Sequence, residues 1–104
     1  MALDSLTSRE RQVALFERYG ALLTEHQRKV LDLYLRSDWS LSEVAARQET
    51  SRAAVHDLLR RSTQAMEDFE RRLGLLAEDR RRRDEAAALT RELDSLRRRV
   101  ERIT

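Results

Sequence analysis

Two serines, Ser40 and Ser51, each stand where a helix would begin, and the gap between them admits little but a short helix and a tight corner. Ser40 is followed three residues later by Glu43, the S-x-x-E arrangement in which hydroxyl and carboxylate each satisfy a free backbone N–H. Val44, Ala45 and Gln48 follow at helical spacing, and Ala45 is small enough for a second helix to cross closely. Ser51 offers the second cap. Behind it Val55, Leu58 and Leu59 form an apolar stripe at i, i+3 and i+4. Cap, short helix, corner, cap and second helix make a helix-turn-helix spanning residues 40–61.

With that stripe facing inward, Arg52, Ala53, His56, Asp57 and Arg60 fall on the outer face, with Arg61 beside them. These side chains meet base edges or phosphates if the second helix enters a major groove. Arg52, in the first turn, can bind guanine in bidentate fashion, while Ser51 and the free N–H groups of the helix start can grip a phosphate. The other reading of the same spacing is a bundle corner with a solvated polar face. The corner itself reads Gln48-Glu49-Thr50, where such corners often carry an apolar residue, a glycine and another apolar residue. Glu49 is therefore expected to accept a left-handed or near-left-handed backbone, at roughly 1 kcal/mol for a residue with a side chain.

The flanks are also helical. Proline is absent and glycine occurs twice in 104 residues, so an all-α chain is expected, with one small domain and an extension. Thr7 and Glu10 suggest a capping box for a first helix ending at Tyr19, with Val13, Leu15, Phe16 and Tyr19 inward and Gly20 as the stop. Thr24 and Gln27 repeat the box for a second helix whose stripe is Val30, Leu31, Tyr34 and Leu35. Ser37-Asp38 closes it, and Trp39 is read as a core residue sealing the junction rather than as a recognition residue. From Ser51 the pattern runs through Met66, Phe69, Leu73 and Leu76, with Gly74 its weak point and a possible bend.

Residues 1–76 are thus expected to form the helix-turn-helix domain, and 77–104 a basic, heptad-bearing extension. Up to Asp79 the chain has 12 basic and 14 acidic residues; from Arg80 onward it has 9 and 5. Positive charge therefore sits in the tail, and the helix-turn-helix portion is not strongly basic, contrary to what binding driven by counterion release favours. Arg80, Arg81, Arg82 and Arg83 read either as a solvated helix face or as a phosphate-binding patch. Ala86, Leu89, Leu93, Leu96, Val100 and Ile103 are spaced 3, 4, 3, 4, 3, an a/d seam. With Leu89 at d, Glu92 takes g and Arg97 takes e, the spacing of an interchain ion pair in a parallel coiled coil. The seam can fold back on its own chain or pair with a second copy; pairing into a homodimer is the favoured reading, because the body has its own core.

Several chemistries lack their residues. There is no cysteine, hence no disulfide, thiolate metal site or thiol catalysis. No apolar run approaches the roughly 20 residues of a membrane span, and no signal-like stretch opens the chain, so a cytoplasmic location is expected. His26 and His56 have no second ligand at metal-binding spacing, and neither a phosphate loop nor a nucleophile–base motif is present. The carboxylates interleave with arginines as surface ion pairs do. The expectation is a non-enzymatic protein with neither metal nor cofactor.

From Leu15 to about Leu76 the chain resembles the YlxM family of small bacterial helix-turn-helix proteins. The resemblance rests on LFERYGALLTEHQRKVLDLYLRSDWSLSEVAARQETSRAAVHDLLRRS and the following MEDFERRLGLL. An aromatic lead-in, LLTEHQR, an acidic loop with Trp, LSEVAA and SRAAVHD occur in that order. The same core is similar to region 4 of bacterial sigma factors, within the winged-helix-like superfamily, whose second helix contacts promoter DNA. The resemblance implies a DNA-binding regulatory or accessory protein, tied to the signal recognition particle pathway by its genetic neighbourhood. It also implies contact positions at Ser51, Arg52, Ala53, His56, Asp57 and Arg60. The alternative is a protein- or RNA-interaction module that keeps the helix-turn-helix as scaffold, docks on the particle or its RNA, and uses the basic tail.

Overall fold

The computed structural model describes residues 2–104, with side chains from Arg9 onward. The described residues form helices joined by short turns: α1 (Ala2–Tyr19), α2 (Glu25–Leu31), α3 (Leu41–Arg47), α4 (Arg52–Leu73) and α5 (Leu75–Ile103). They divide into two compact units, one up to Gly74 and one from Leu75 to Thr104.

In the first unit, α1, α2 and α3 each pack on α4. Its core is Leu15, Phe16 and Tyr19 from α1, Val30, Leu31 and Leu35 from α2 and its extension, Val44 and Ala45 from α3, and Val55, Leu59 and Met66 from α4. Fully burying an aliphatic side chain stabilises by about 1.5–3 kcal/mol, so this cluster is what holds α4 in place. Polar ties run along the α1–α4 contact. Arg11 Nη2 donates to Glu67 Oε1 at 2.7 Å, Gln12 Nε2 to Thr63 Oγ1 at 3.0 Å, and the Tyr19 hydroxyl to Glu70 Oε1 at 2.6 Å.

Two capping boxes form as their residues suggest. At α2, the Thr24 N–H donates to Gln27 Oε1 and the Gln27 N–H to Thr24 Oγ1. At α3, the Ser40 N–H donates to Glu43 Oε1 at 2.9 Å and the Glu43 N–H to Ser40 Oγ at 3.1 Å. The first box does not start its helix: α1 begins at Ala2, and the Thr7 side chain lies outside the described residues.

Three other expectations are corrected. α1 ends at Tyr19 as expected, but Gly20 is not left-handed: it opens a 3-10 turn (Gly20–Leu22), and a Cβ there would lie 3.0 Å from two atoms of the Phe16 ring. Close packing, not backbone freedom, demands glycine. The second helix ends at Ser37 as expected, although its last turn (Asp32–Arg36) is π-helical. Trp39 is only half-buried rather than a core residue, and Asp38 before it is left-handed with φ 59°. Arg9 fixes that turn, donating to Asp38 Oδ1 at 2.7 Å and to the Tyr34 carbonyl at 2.9 Å while lying 4.8 Å from the Tyr34 ring centroid. Finally, the long helix does not continue to Leu76. Gly74 adopts φ 63° and its N–H caps α4 on the Glu70 carbonyl at 2.8 Å, leaving Leu73 exposed.

The second unit is the single helix α5. It buries no side chain, and Leu89, Leu93, Leu96, Val100 and Ile103 are all exposed.

Candidate nucleic-acid interface

The candidate interface is built from the corner outward. After α3, the Glu49 N–H bonds the Ala46 carbonyl at 3.3 Å and the Thr50 N–H bonds the Ala45 carbonyl at 2.9 Å. Glu49 itself is left-handed, with φ 55°. This paired closure around one left-handed residue is the Schellman motif, here with glutamate in the place glycine usually holds. The corner is therefore as tight as a glycine corner, and the residue spends conformational energy to make it so.

Ser51 then caps α4, its Oγ accepting the Ala54 N–H at 3.0 Å. The hydroxyl is thus engaged as an acceptor, with its hydrogen still available to an anion. Val55 and Leu59 are buried at 2% and 6% exposure, while Leu58, expected with them, is half-buried at the edge of the stripe. Arg52, Ala53, His56, Arg60 and Arg61 are exposed on the other side, and Asp57 is partly so. One continuous outer face therefore runs from Ser51 to Arg61, on a helix whose inner face is fixed in the core.

Its electrostatics are less simple than its shape. Asp57 accepts from Arg60 Nη2 at 2.8 Å and pairs with Arg61 Nε at 2.9 Å. The hydrogen bond from Arg60, with the nearby charges of Arg61, Arg60 and His56, holds the Asp57 carboxyl below its ordinary range. Two of the three arginines on this face are thus already turned toward a carboxylate. Arg52 makes no ion pair among the described residues.

Lys29 and Arg47 were not among the residues singled out from the sequence. They line a shallow cleft with Leu33, Gln48 and Glu49, beside the corner that leads into α4. Arg47 is exposed in the last turn of α3, and that position, one residue before the corner, was the signal available. Lys29 reaches the cleft from α2 through tertiary packing, which no local pattern shows. His56 and Arg60 line a second groove with Tyr34 and Leu41.

Arg80, Arg81, Arg82 and Arg83 belong to α5, in the other compact unit. All four are exposed, and Arg82 Nη2 pairs with Glu78 Oε1 at 2.9 Å. The seam residues lie along the same helix. Neither α5 nor any other helix among the described residues is long and apolar enough to cross a membrane.

Comparison with known proteins follows the same outline. The sequence model of the UPF0122 family, described as "putative helix-turn-helix protein, YlxM / p13 like", matches residues 6–104. The chain is 47% identical over 73 residues to a UPF0122 protein of Symbiobacterium thermophilum, a match covering 70% of this chain and 68% of the relative. It is 41% identical over 99 residues to a counterpart in Geobacillus kaustophilus, covering 79% and 90%. A Clostridium kluyveri UPF0122 protein is 38% identical over 91 residues, covering 88% and 82%.

Proposed function

This chain belongs to the UPF0122 family of YlxM-like helix-turn-helix proteins, and on that premise we propose that it is a cytoplasmic, non-enzymatic regulator that binds nucleic acid through the outer face of α4. The observation that carries this reading is the fixed orientation of α4: Val55 and Leu59 are inside, and Arg52, His56 and Arg60 are outside. Such a helix, capped by Ser51 and preceded by a tight corner, offers its first turn to a major groove. In this reading Arg52 reads a base edge, Ser51 donates to a phosphate, and Ala53 leaves room for the backbone to approach. Lys29 and Arg47, flanking the corner, add phosphate contacts that position the helix without reading sequence. A role as an accessory of the signal recognition particle pathway fits the family resemblance, and pairing of two chains through α5 completes the proposal.

The test is binding of the full chain to duplex DNA across a salt series. Wild-type affinity falls steeply with salt, and Arg52→Ala combined with Arg60→Ala abolishes it. A double variant that shifts duplex DNA like wild type removes α4 as the contact.

One observation favours a second reading. Asp57 engages both Arg60 and Arg61, and residues 1–79 carry two more acidic than basic side chains. If the helix-turn-helix is only a scaffold, contact passes to Arg80–Arg83 and the ligand is a structured RNA or a protein of the particle. Replacing those four arginines with glutamine then abolishes RNA binding, whereas Arg52→Ala leaves it intact.

A further inference from the structure

The exposed stripe on α5 has a property that the heptad spacing alone does not convey. Leu89, Leu93, Leu96, Val100 and Ile103 are 60%, 65%, 49%, 59% and 85% exposed, a row of large apolar side chains on one helix face. A continuous stripe of this kind marks a surface that another molecule covers. The seam also reads the same from either end. Reversed on itself, it sets Ala86 level with Ile103, Leu89 with Val100, and Leu93 with Leu96. Parallel and antiparallel pairing of two copies therefore cover the same apolar residues, and burial cannot choose between them.

Charge can. From residue 84 to 94 the helix carries Asp84, Glu85, Glu92 and Asp94 against Arg91, a net −3. From 95 to 104 it carries Arg97, Arg98, Arg99 and Arg102 against Glu101, a net +3. Parallel pairing lays each acidic half beside the acidic half of the other copy, and likewise the basic halves. Antiparallel pairing lays acidic on basic at both ends. The flanks agree: continuing the heptad toward the N-terminus puts Asp79 at a and Arg82 at d. A parallel pair sets each against its own copy, whereas an antiparallel pair leaves both beyond the end of the partner helix. Opposed helix dipoles add in the same direction. The g position distinguishes the two as well, since Glu92 meets Arg97 of the second copy in a parallel pair and Arg99 of the second copy in an antiparallel one.

We propose that α5 pairs with α5 of a second copy in antiparallel register, selected by the charge reversal midway along the seam. The proposal rests on self-association through α5, which belongs to the functional reading above, but not on what α4 binds.

The test uses the full chain, which contains no cysteine. Ala86→Cys and Ile103→Cys variants are prepared separately, reduced, mixed and oxidised. In the antiparallel register residue 86 lies beside residue 103 of the other copy and about 25 Å from the other residue 86, far beyond disulfide reach. The mixture then gives the 86–103 heterodisulfide as the main product, and neither variant alone cross-links efficiently. Efficient 86–86 cross-linking by the Ala86→Cys chain alone overturns the register and leaves self-association standing. Sedimentation of the unmodified chain reads the other premise: a monomer, or a dimer that survives deletion of residues 86–104, overturns pairing through α5 itself. As a second readout, Glu92→Arg weakens the dimer about fivefold at low salt. Added Arg99→Glu restores it; restoration by Arg97→Glu instead contradicts the proposal.

Discussion

At the residue scale, the corner is the place where the chain departs most from comfortable chemistry. Glu49 sits at φ 55° and closes the Schellman turn, so Glu49→Gly should raise stability by about 1 kcal/mol. Equilibrium denaturation checks this, and an unchanged midpoint means the left-handed cost is already offset locally. Its strain was legible beforehand, because Glu49 stands in the middle of the corner where glycine is usual. Ser62 was not legible. It is fully buried in α4, and its Oγ has no hydrogen-bond partner. Leaving a buried hydroxyl unsatisfied costs about 1–3 kcal/mol, so Ser62→Ala should be neutral or stabilising in the same experiment. A marked loss of stability means the hydroxyl finds a partner in solution. Gly20 was legible as a glycine with a purpose but not as a packing residue, since only the folded chain brings its α-carbon against the Phe16 ring.

At the element scale, the boundaries that depend on neighbours in sequence were readable. The Thr24 and Ser40 capping boxes and the Ser51 cap each involve residues three apart, and local hydrogen bonding decides them. Their energetics are titratable. Bonds from the Ser40 backbone, and then its side chain, hold the Glu43 carboxyl below its ordinary value of 4.5. A depressed carboxylate stabilises the fold fully above its unfolded value and loses that contribution as pH falls through the folded one. Thermal stability should therefore decline below about pH 4.5, and Glu43→Gln should show a shallower decline in a melting series; identical profiles would remove Glu43 as a contributor. Boundaries set by distant residues were not readable. The stop at Ser37 was readable, but the contacts around that turn were not: Arg9 reaches the Tyr34 carbonyl and Asp38 from 25 and 29 residues away. The end of α4 at Gly74 was visible as a weak point, but apolar periodicity carries straight across it.

At the scale of the whole molecule, the all-helical class followed from composition and the outer face of α4 from a three-residue stripe. The clustering of Lys29 and Arg47 at the corner had no trace in either. What the charge distribution adds is an expectation of modest affinity: residues 1–79 are two charges on the acidic side, and Asp57 competes with phosphate for Arg60 and Arg61. Asp57→Asn frees both arginines and removes a repulsive carboxylate. It should strengthen duplex binding severalfold and steepen its salt dependence by about one phosphate contact, as measured by anisotropy across a salt series; weaker binding would give Asp57 a recognition role of its own. The most direct measurement is a titration of the isotope-labelled full chain with duplex DNA, followed residue by residue through amide chemical shifts. Perturbations are expected to gather at Ser51, Arg52, Ala53, His56 and Arg60, with weaker ones at Lys29 and Arg47. Perturbations confined to Arg80–Arg83, or none along α4 at saturating duplex, would contradict this expectation.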